Sequence, residues 1–367
     1  MILRTEEFQK ECNILALALE NNSLLPDIGI LELEVEGTNL VMKMNNVEHY
    51  EEIIIPLSSH EDFNASVDGA LFLNLVSKLT SETIELKVAP NSLIILGNGT
   101  YNIPLHFKDS KMFKVKKIEA DVINTTFTLP VSALTNTTYY NNKEMDRATT
   151  TTTVQTFHYF DEHGVLTFNQ GACVNSFEVG EKFKLLLSAR LVSLFKMFEL
   201  SGDTTVTIQL GYRVVNNVNR RIITLSTPSI KLTYLLLSEE QLLNSVPAEI
   251  IRDRATKVYD YKVTLDKALL LEALTRLALF LPKDDFYINA EFSRDEVKFE
   301  AGSNYETIFY SSDSNNLKNY SMTIDLKIFL DIIKIIPSKF INLNFGDHVA
   351  FTITHEGITH IIPEDIS

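Results

Sequence analysis

Leu71-Phe-Leu-Asn-Leu-Val-Ser-Lys-Leu79, a short polar break, and then Ser81-Glu-Thr-Ile-Glu-Leu-Lys-Val88 decide the fold. The first half spaces apolar residues as one face of a helix, and Asp68 ahead of it is a side chain suited to cap the first turn. The second half alternates polar and apolar residues, the period of a half-buried strand. The same order returns twice. Leu191-Val-Ser-Leu-Phe-Lys-Met-Phe198 precedes Asp203-Thr-Thr-Val-Thr-Ile-Gln-Leu210, and Ile328-Phe-Leu-Asp-Ile-Ile-Lys-Ile-Ile336 precedes Ser338-Lys-Phe-Ile-Asn-Leu-Asn-Phe345.

Working outward, each copy also carries an earlier helix behind a strand-like lead-in: Met1-Ile-Leu-Arg-Thr5, Phe127-Thr-Leu-Pro-Val131 and Tyr261-Lys-Val-Thr-Leu-Asp266. In the first of these, Phe8, Cys12, Leu15 and Leu19 share one face, with Thr5 as the expected cap. The six expected helices cover 5–20, 68–80, 130–147, 188–200, 266–281 and 325–339. Strand patterns surround them, as at Gly29–Val35, Leu40–Met44 and Ser92–Leu96. A unit of about 120 residues is a domain rather than a solenoid module. The expectation is an α+β chain of three repeated domains, 1–118, 119–250 and 251–367, each with two helices backed by antiparallel sheet. Lys108–Val122 and Ser238–Asp260 are charged and aperiodic, and are expected as linkers. Three unrelated α+β domains would share the generic patterns but not their threefold return at even spacing.

Composition excludes several classes. The chain has 367 residues, 45% hydrophobic and 22% charged, too apolar for a disordered chain. Lys and Arg number 33 against 48 Asp and Glu, a net charge of -15, so any nucleic-acid contact must come from locally placed cations. Cys12 and Cys173 lie in no CxxC or CxxH pattern, which argues against a zinc site or disulfide scaffold and for a reducing compartment. The N-terminus lacks a signal-peptide pattern, and apolar runs such as Leu277–Pro282 are far short of a membrane span. A cytoplasmic protein without membrane contact is expected, and the Asn-x-Ser/Thr triplets at 64, 98, 124 and 136 read as chance.

No HExxH, GxSxG, GxxxxGK[ST] or GxGxxG occurs, and 13 glycines leave no phosphate-cradling loop. Asp284-Asp285 and Glu239-Glu240 read as solvated loop charge, and Thr149–Thr153 as an exposed strand. No enzymatic activity, cofactor or metal is expected.

The threefold unit resembles the bacterial DNA polymerase III β subunit, the DNA sliding clamp. The run Ile30-Leu-Glu-Leu-Glu-Val-Glu-Gly-Thr-Asn-Leu40 is similar to that family's early hairpin, and Ile358-Thr-His-Ile-Ile-Pro-Glu-Asp-Ile-Ser367 to its apolar-apolar-Pro ending. Where the family carries an Asp-Gly-His-Arg-Leu-like turn, this chain has Asn169-Gln-Gly-Ala-Cys-Val174, which keeps Gly171 and an apolar Val174 but loses His and Arg. Such drift fits a phage or otherwise divergent clamp.

The resemblance implies a homodimer closed head to tail into a ring around duplex DNA, bound topologically and without sequence preference. It also implies two protein partners, a replicative DNA polymerase and a clamp loader. Its inner helices would face DNA through Lys78, Arg147, Arg190, Lys196, Lys267, Arg276, Lys327, Lys334 and Lys339. The expected helices carry 11 Lys/Arg against 12 Asp/Glu, less acidic than the rest of the chain, although the first holds Glu6, Glu7, Glu11 and Glu20 against Lys10. Lys108, Lys111, Lys114, Lys116 and Lys117 read either as a solvating linker or as a loader or DNA contact. The edges expected to meet in the dimer lie near Ser92–Tyr101 and Phe286–Phe299. The family's peptide pocket maps onto Thr152, Gly171, Cys173, Val174, Val246, Pro247, Ile361, Ile362 and Pro363. The alternative is that Ile361 and Ile362 only complete the third domain's own sheet. A different class of function, a β-rich structural or assembly protein such as a virion component, would enclose no DNA.

Overall fold

The computed structural model describes residues 1–19, 27–58, 62–136, 157–169, 171–215, 217–236, 243–282, 286–312, 317 and 319–364. Arg147, Thr152, Thr149–Thr153, Asp284-Asp285 and Glu239-Glu240 lie outside them, as does most of the helix expected over 130–147. The chain is α+β with antiparallel sheets. Two compact units form, Met1–Thr135 with Arg190–Ser238, and Asn136–Ala189 with Glu239–Ser367.

The helix-then-strand signal is realised through repeated local chemistry. Asp68, Asp266 and Asp325 each end a strand and cap the next helix, accepting from Leu71 N–H (2.7 Å), Ala268 N–H (2.9 Å) and Ile328 N–H (3.0 Å). Each cap satisfies an otherwise orphan donor, worth about 1 kcal/mol. The capped helices are Gly69–Val76, Lys267–Leu277 and Leu326–Ile335. Thr5 does not cap: it is the buried first residue of the Thr5–Ala16 helix, whose N-cap position is Arg4, with no side-chain bond to the helix's backbone N–H groups. The helix expected over 188–200 is two pieces, Ala189–Leu194 and Lys196–Ser201, and Gly202 ends the second in the left-handed region.

In the first unit an eight-stranded sheet runs Val122–Pro130, Thr205–Val215, Val218–Ser226, Ile230–Leu235, His49–Pro56, Asn39–Asn45, Ile30–Glu36, Asn64–Asp68. Strands from two repeats meet at one ladder, Ile230 opposite Ile53 through Tyr234 opposite His49. In the second unit a nine-stranded sheet runs Lys184–Leu187, Phe157–Asp161, Gly164–Asn169, Gly171–Ser176, Ile358–Pro363, Ala350–His355, Phe340–Phe345, Tyr261–Asp266, Ser311–Ser312. There the repeats join where Ala172 faces Ile361 and Asn175 faces Ile358. Four-stranded sheets complete each unit.

Neither expected linker is a bare connector. Within 108–122, Phe113, Val115 and Ile118 are buried against Ile30, Tyr50 and Ile222 of the eight-stranded sheet. Within 238–260, Ala248–Thr256 is a helix. The stretches expected as edges, 92–101 and 286–299, lie mostly on internal strands, the first reaching the start of an edge strand. Ser92–Leu96 is internal and Thr100–Pro104 is an edge; Tyr287–Phe292 and Glu296–Ala301 are internal and Asn304–Phe309 is an edge.

Candidate functional site

The Gly171–Ser176 and Ile358–Pro363 strands form a seam whose alternation sorts the expected site residues onto two faces. Ala172, Val174 and Ile361 belong to one apolar cluster with Phe157, Leu243, Ala248 and Ile251, and with half-buried Phe168, Val246 and Ala255. Ile362, fully buried, belongs to the third repeat's core with Phe329 and Phe351. Of the two tail isoleucines, Ile361 therefore serves the seam cluster and Ile362 completes its own domain. Gly171 is required by closeness: a Cβ there would lie 2.9 Å from the Ile361 carbonyl oxygen.

Cys173 and His360 face each other across the seam, both fully buried on the side opposite Ala172 and Val174. Burial pushes the Cys173 thiol up to about 12, and burial together with neighbouring His355 pushes His360 down to about 3. The His355 and His360 Nε2 atoms stand 2.9 Å apart with stacked rings. At neutral pH this is a protonated thiol beside a neutral imidazole, a packing element with no thiolate to act as a nucleophile. Among the described residues no cluster of His, Cys, Asp and Glu could hold a metal ion.

The Ala248–Thr256 helix lies over the seam and is tied at two points. Arg252 donates to both oxygens of buried Asp161, at 2.7 and 2.8 Å, a bidentate geometry that compensates the burial of both charges. Arg254 and Lys257 both reach Asp347, the lysine at 2.5 Å. Burial raises the Asp347 carboxyl, but Lys257, the Ala350 and Val349 N–H groups and Arg254 outweigh it and hold it at about 2. The tail is fixed as far as Glu364, whose two oxygens accept from the Tyr320 hydroxyl at 3.0 Å and whose N–H donates to Val349. Pro247 and Pro363 are exposed beside this surface. The arrangement offers half-exposed Phe168, Val246 and Ala255 on a rigid frame, suited to receiving apolar side chains. Phe168 and Ala255 were not singled out from sequence, although Phe168 ends the largely apolar run Val165-Leu-Thr-Phe168 three residues before Gly171.

The expected DNA-facing cations divide by what they touch. Arg190 is half-buried and donates to the Ala18 carbonyl at 3.0 Å. Lys267 donates to the Lys334 and Ile336 carbonyls, where its charge meets the negative end of the Leu326–Ile335 helix. Arg276 is held by Glu306 at 2.6 and 3.0 Å. These three have structural partners. Lys334 lies 3.7 Å from Asp331, and Lys327 and Lys339 lie over the Phe286 and Phe340 rings. Lys78 and Lys196 are exposed and make no ion pair among the described residues.

The lysine-rich segment is explained largely by its neighbours. Lys108 pairs with Asp27, Lys114 with Glu32 and Glu34 at 2.8 and 2.7 Å, and Lys117 with Glu52 at 3.0 Å. The sheet's acidic face attracts it, and Phe113, Val115 and Ile118 then pack beneath.

No helix of the described residues is long and apolar enough to cross a membrane. No family model and no curated protein sequence matches the chain. Solved structures do. A Pseudomonas aeruginosa DNA polymerase III β-subunit sliding clamp bound to griselimycin has TM-score 0.79 at 15% identity, covering 100% of this chain and 99% of that one. The β subunit of Borrelia burgdorferi in complex with a natural product gives 0.77 at 16%, and that of Thermotoga maritima 0.76 at 16%, both with the same coverage. From end to end, this chain has the fold of the DNA polymerase III β-subunit sliding clamps.

Proposed function

We propose that the chain is a non-enzymatic DNA sliding clamp. Two copies close head to tail around duplex DNA and tether a replicative polymerase by a short peptide seated on the seam between the second and third of the three domains (1–118, 119–250, 251–367). The observation that carries this is the full-length match to sliding clamps in a chain with an apolar, partly open seam at its second inter-repeat joint. Retention on DNA is then topological, and a clamp loader opens the ring.

Several features support the parts. The Asn304–Phe309 edge exposes Tyr305 and Phe309 at 63% and 72%, and Leu279 and Phe280 are exposed in the same repeat. Unpaired sheet edges with apolar side chains favour a partner copy, and Thr100–Pro104 is an edge strand of the first repeat's four-stranded sheet. Lys78, Lys196, Lys327, Lys334 and Lys339 are the cations left to approach phosphates loosely, which suits sliding and predicts strong salt sensitivity. A polymerase peptide with one or two large apolar anchors fits beside Phe168, Val246 and Ile361.

The test is retention on DNA after loading. The protein is expected to stay on a nicked circle and to leave when the circle is linearised. Equal retention on both forms contradicts a ring. Removing residues 361–367 is not a usable probe of the peptide surface, because Ile362 is core. Val246→Asp is suitable: it should abolish polymerase stimulation while retention on the circle persists.

A further inference from the structure

The Thr205–Val215 and Val218–Ser226 strands outrun their sheet. Val122 is the first residue of its strand to pair with this hairpin, opposite Tyr212, and Leu235 is the last on the other side, opposite Ile222. Beyond those points Arg213–Val215 and Val218–Arg220 pair with each other and with no third strand among the described residues. Single hydrogen bonds join its base to the neighbouring chain, Val214 N–H to Asp121 Oδ2 at 2.7 Å and Leu236 N–H to the Arg221 carbonyl at 2.9 Å. A two-stranded ribbon alone is marginal in water, and this one carries side chains ill suited to solvent. Val214, Val215 and Val218 are 49%, 37% and 52% exposed, and Val122 and Ile123 at its base are 40% and 50% exposed.

Charge makes the ribbon stranger still. Arg213 stands directly opposite Arg220, and neither has an ion-pair partner among the described residues. Like charges directly across a ladder are unfavourable. No acidic residue occurs from Thr204 to Ser238, in a chain of net charge -15. Gly211 lets the ribbon leave the sheet here, since a Cβ would lie 2.1 Å from the Val122 carbonyl oxygen.

We propose that this ribbon is a docking surface for an extended segment of a partner protein that carries an acidic and an apolar residue two positions apart, on one face of its strand, because Arg213, Val215, Val218 and Arg220 share one face of the ribbon. Such a segment adds a strand along the free ribbon edge, sets carboxylates against Arg213 and Arg220, and covers Val215 and Val218. A nucleic acid would satisfy the arginines but leave the valines in water. The surface lies in the first unit and does not depend on the seam or on ring closure.

The test uses a fluorescent synthetic peptide of Glu-Thr-Val-Thr repeats, which sets glutamate and valine on one face of an extended strand, read by anisotropy against the full chain. Binding is expected, and both Arg213→Glu and Val218→Asp should weaken it at least about tenfold. Arg213→Glu brings a carboxylate opposite Arg220, so its melting temperature should rise by about 1–3 °C while binding falls. That opposite movement separates a recognition role from a structural one. Absence of peptide binding, or binding by either variant as tight as by the unaltered chain, overturns the proposal. So does a duplex fragment that binds the ribbon dependently on Arg213 and independently of Val218, which would make it a nucleic-acid site. Binding of the peptide displaced by a second copy of the chain would likewise overturn it.

Discussion

The molecule twice joins two repeats by running a strand of each into one sheet, and the two seams are finished differently. At the first, Ile230–Leu235 against His49–Pro56, the following stretch of chain folds back and fills the apolar cleft with Phe113, Val115 and Ile118. Lysines 114 and 117 pin that stretch to Glu32, Glu34 and Glu52. At the second, Gly171–Ser176 against Ile358–Pro363, the covering element is a helix held by Arg252 on Asp161 and by Arg254 and Lys257 on Asp347. It buries Ala248 and Ile251 but leaves Phe168, Val246 and Ala255 half-exposed. One topological device thus yields a sealed joint and a receptive one, and what distinguishes them is the covering segment.

Substitutions should separate the seams. Phe113→Ala removes a buried ring from the sealed seam and should cost the first unit about 4 kcal/mol, read by chemical denaturation, without weakening binding of a polymerase peptide. Peptide affinity that falls with it would mean the seams are not independent. Asp161→Ala leaves Arg252 without its buried partner and should cost the second unit about 3 kcal/mol. Because the helix is then untied, peptide affinity should fall as well.

Acid should find the second unit first. His158 and His360 are buried and pushed down to about 3, burial being the leading cause for each. Their unfolded value is about 6.5, so the unfolded state takes up protons earlier and stability declines as pH falls from there toward 3. In the first unit burial raises Glu34, but Lys114 and Lys43 outweigh it and hold the carboxyl at about 2. Its contribution is present above about pH 4.3 and is lost below. Amide exchange between pH 6 and 4.5 should therefore accelerate in the nine-stranded sheet and not in the eight-stranded one; the reverse order would refute this assignment. The smallest effect on stability belongs to Val246→Ala, less than about 1 kcal/mol for a half-exposed side chain, yet it should weaken the polymerase peptide about tenfold.

Much of this was legible in the sequence because it is local. A strand ending in Asp before an apolar helical run is readable wherever it occurs, and Asp68, Asp266 and Asp325 all cap as such patterns imply. The seams were less legible because pairing across repeats leaves no local mark. Phe113-Lys-Val-Lys-Lys-Ile118 alternates, but its lysines resemble a solvated linker until the glutamates of the facing sheet are placed beside them. The Ala248–Thr256 helix offers Ala248, Ile251 and Ala255 as its inner face, too slight an apolar stripe to stand out. Among the cations, residue type could not reveal that Lys267 closes a helix end or that Glu306 holds Arg276.

The central claim is that this fold acts as a closed ring of two copies. Negative-stain imaging of the particle, paired with its mass by light scattering, tests that most directly. The account predicts rings with a central hole and a mass near twice 41.6 kDa. Monodisperse particles near 41.6 kDa at micromolar concentration, with no hole in any class average, would contradict it.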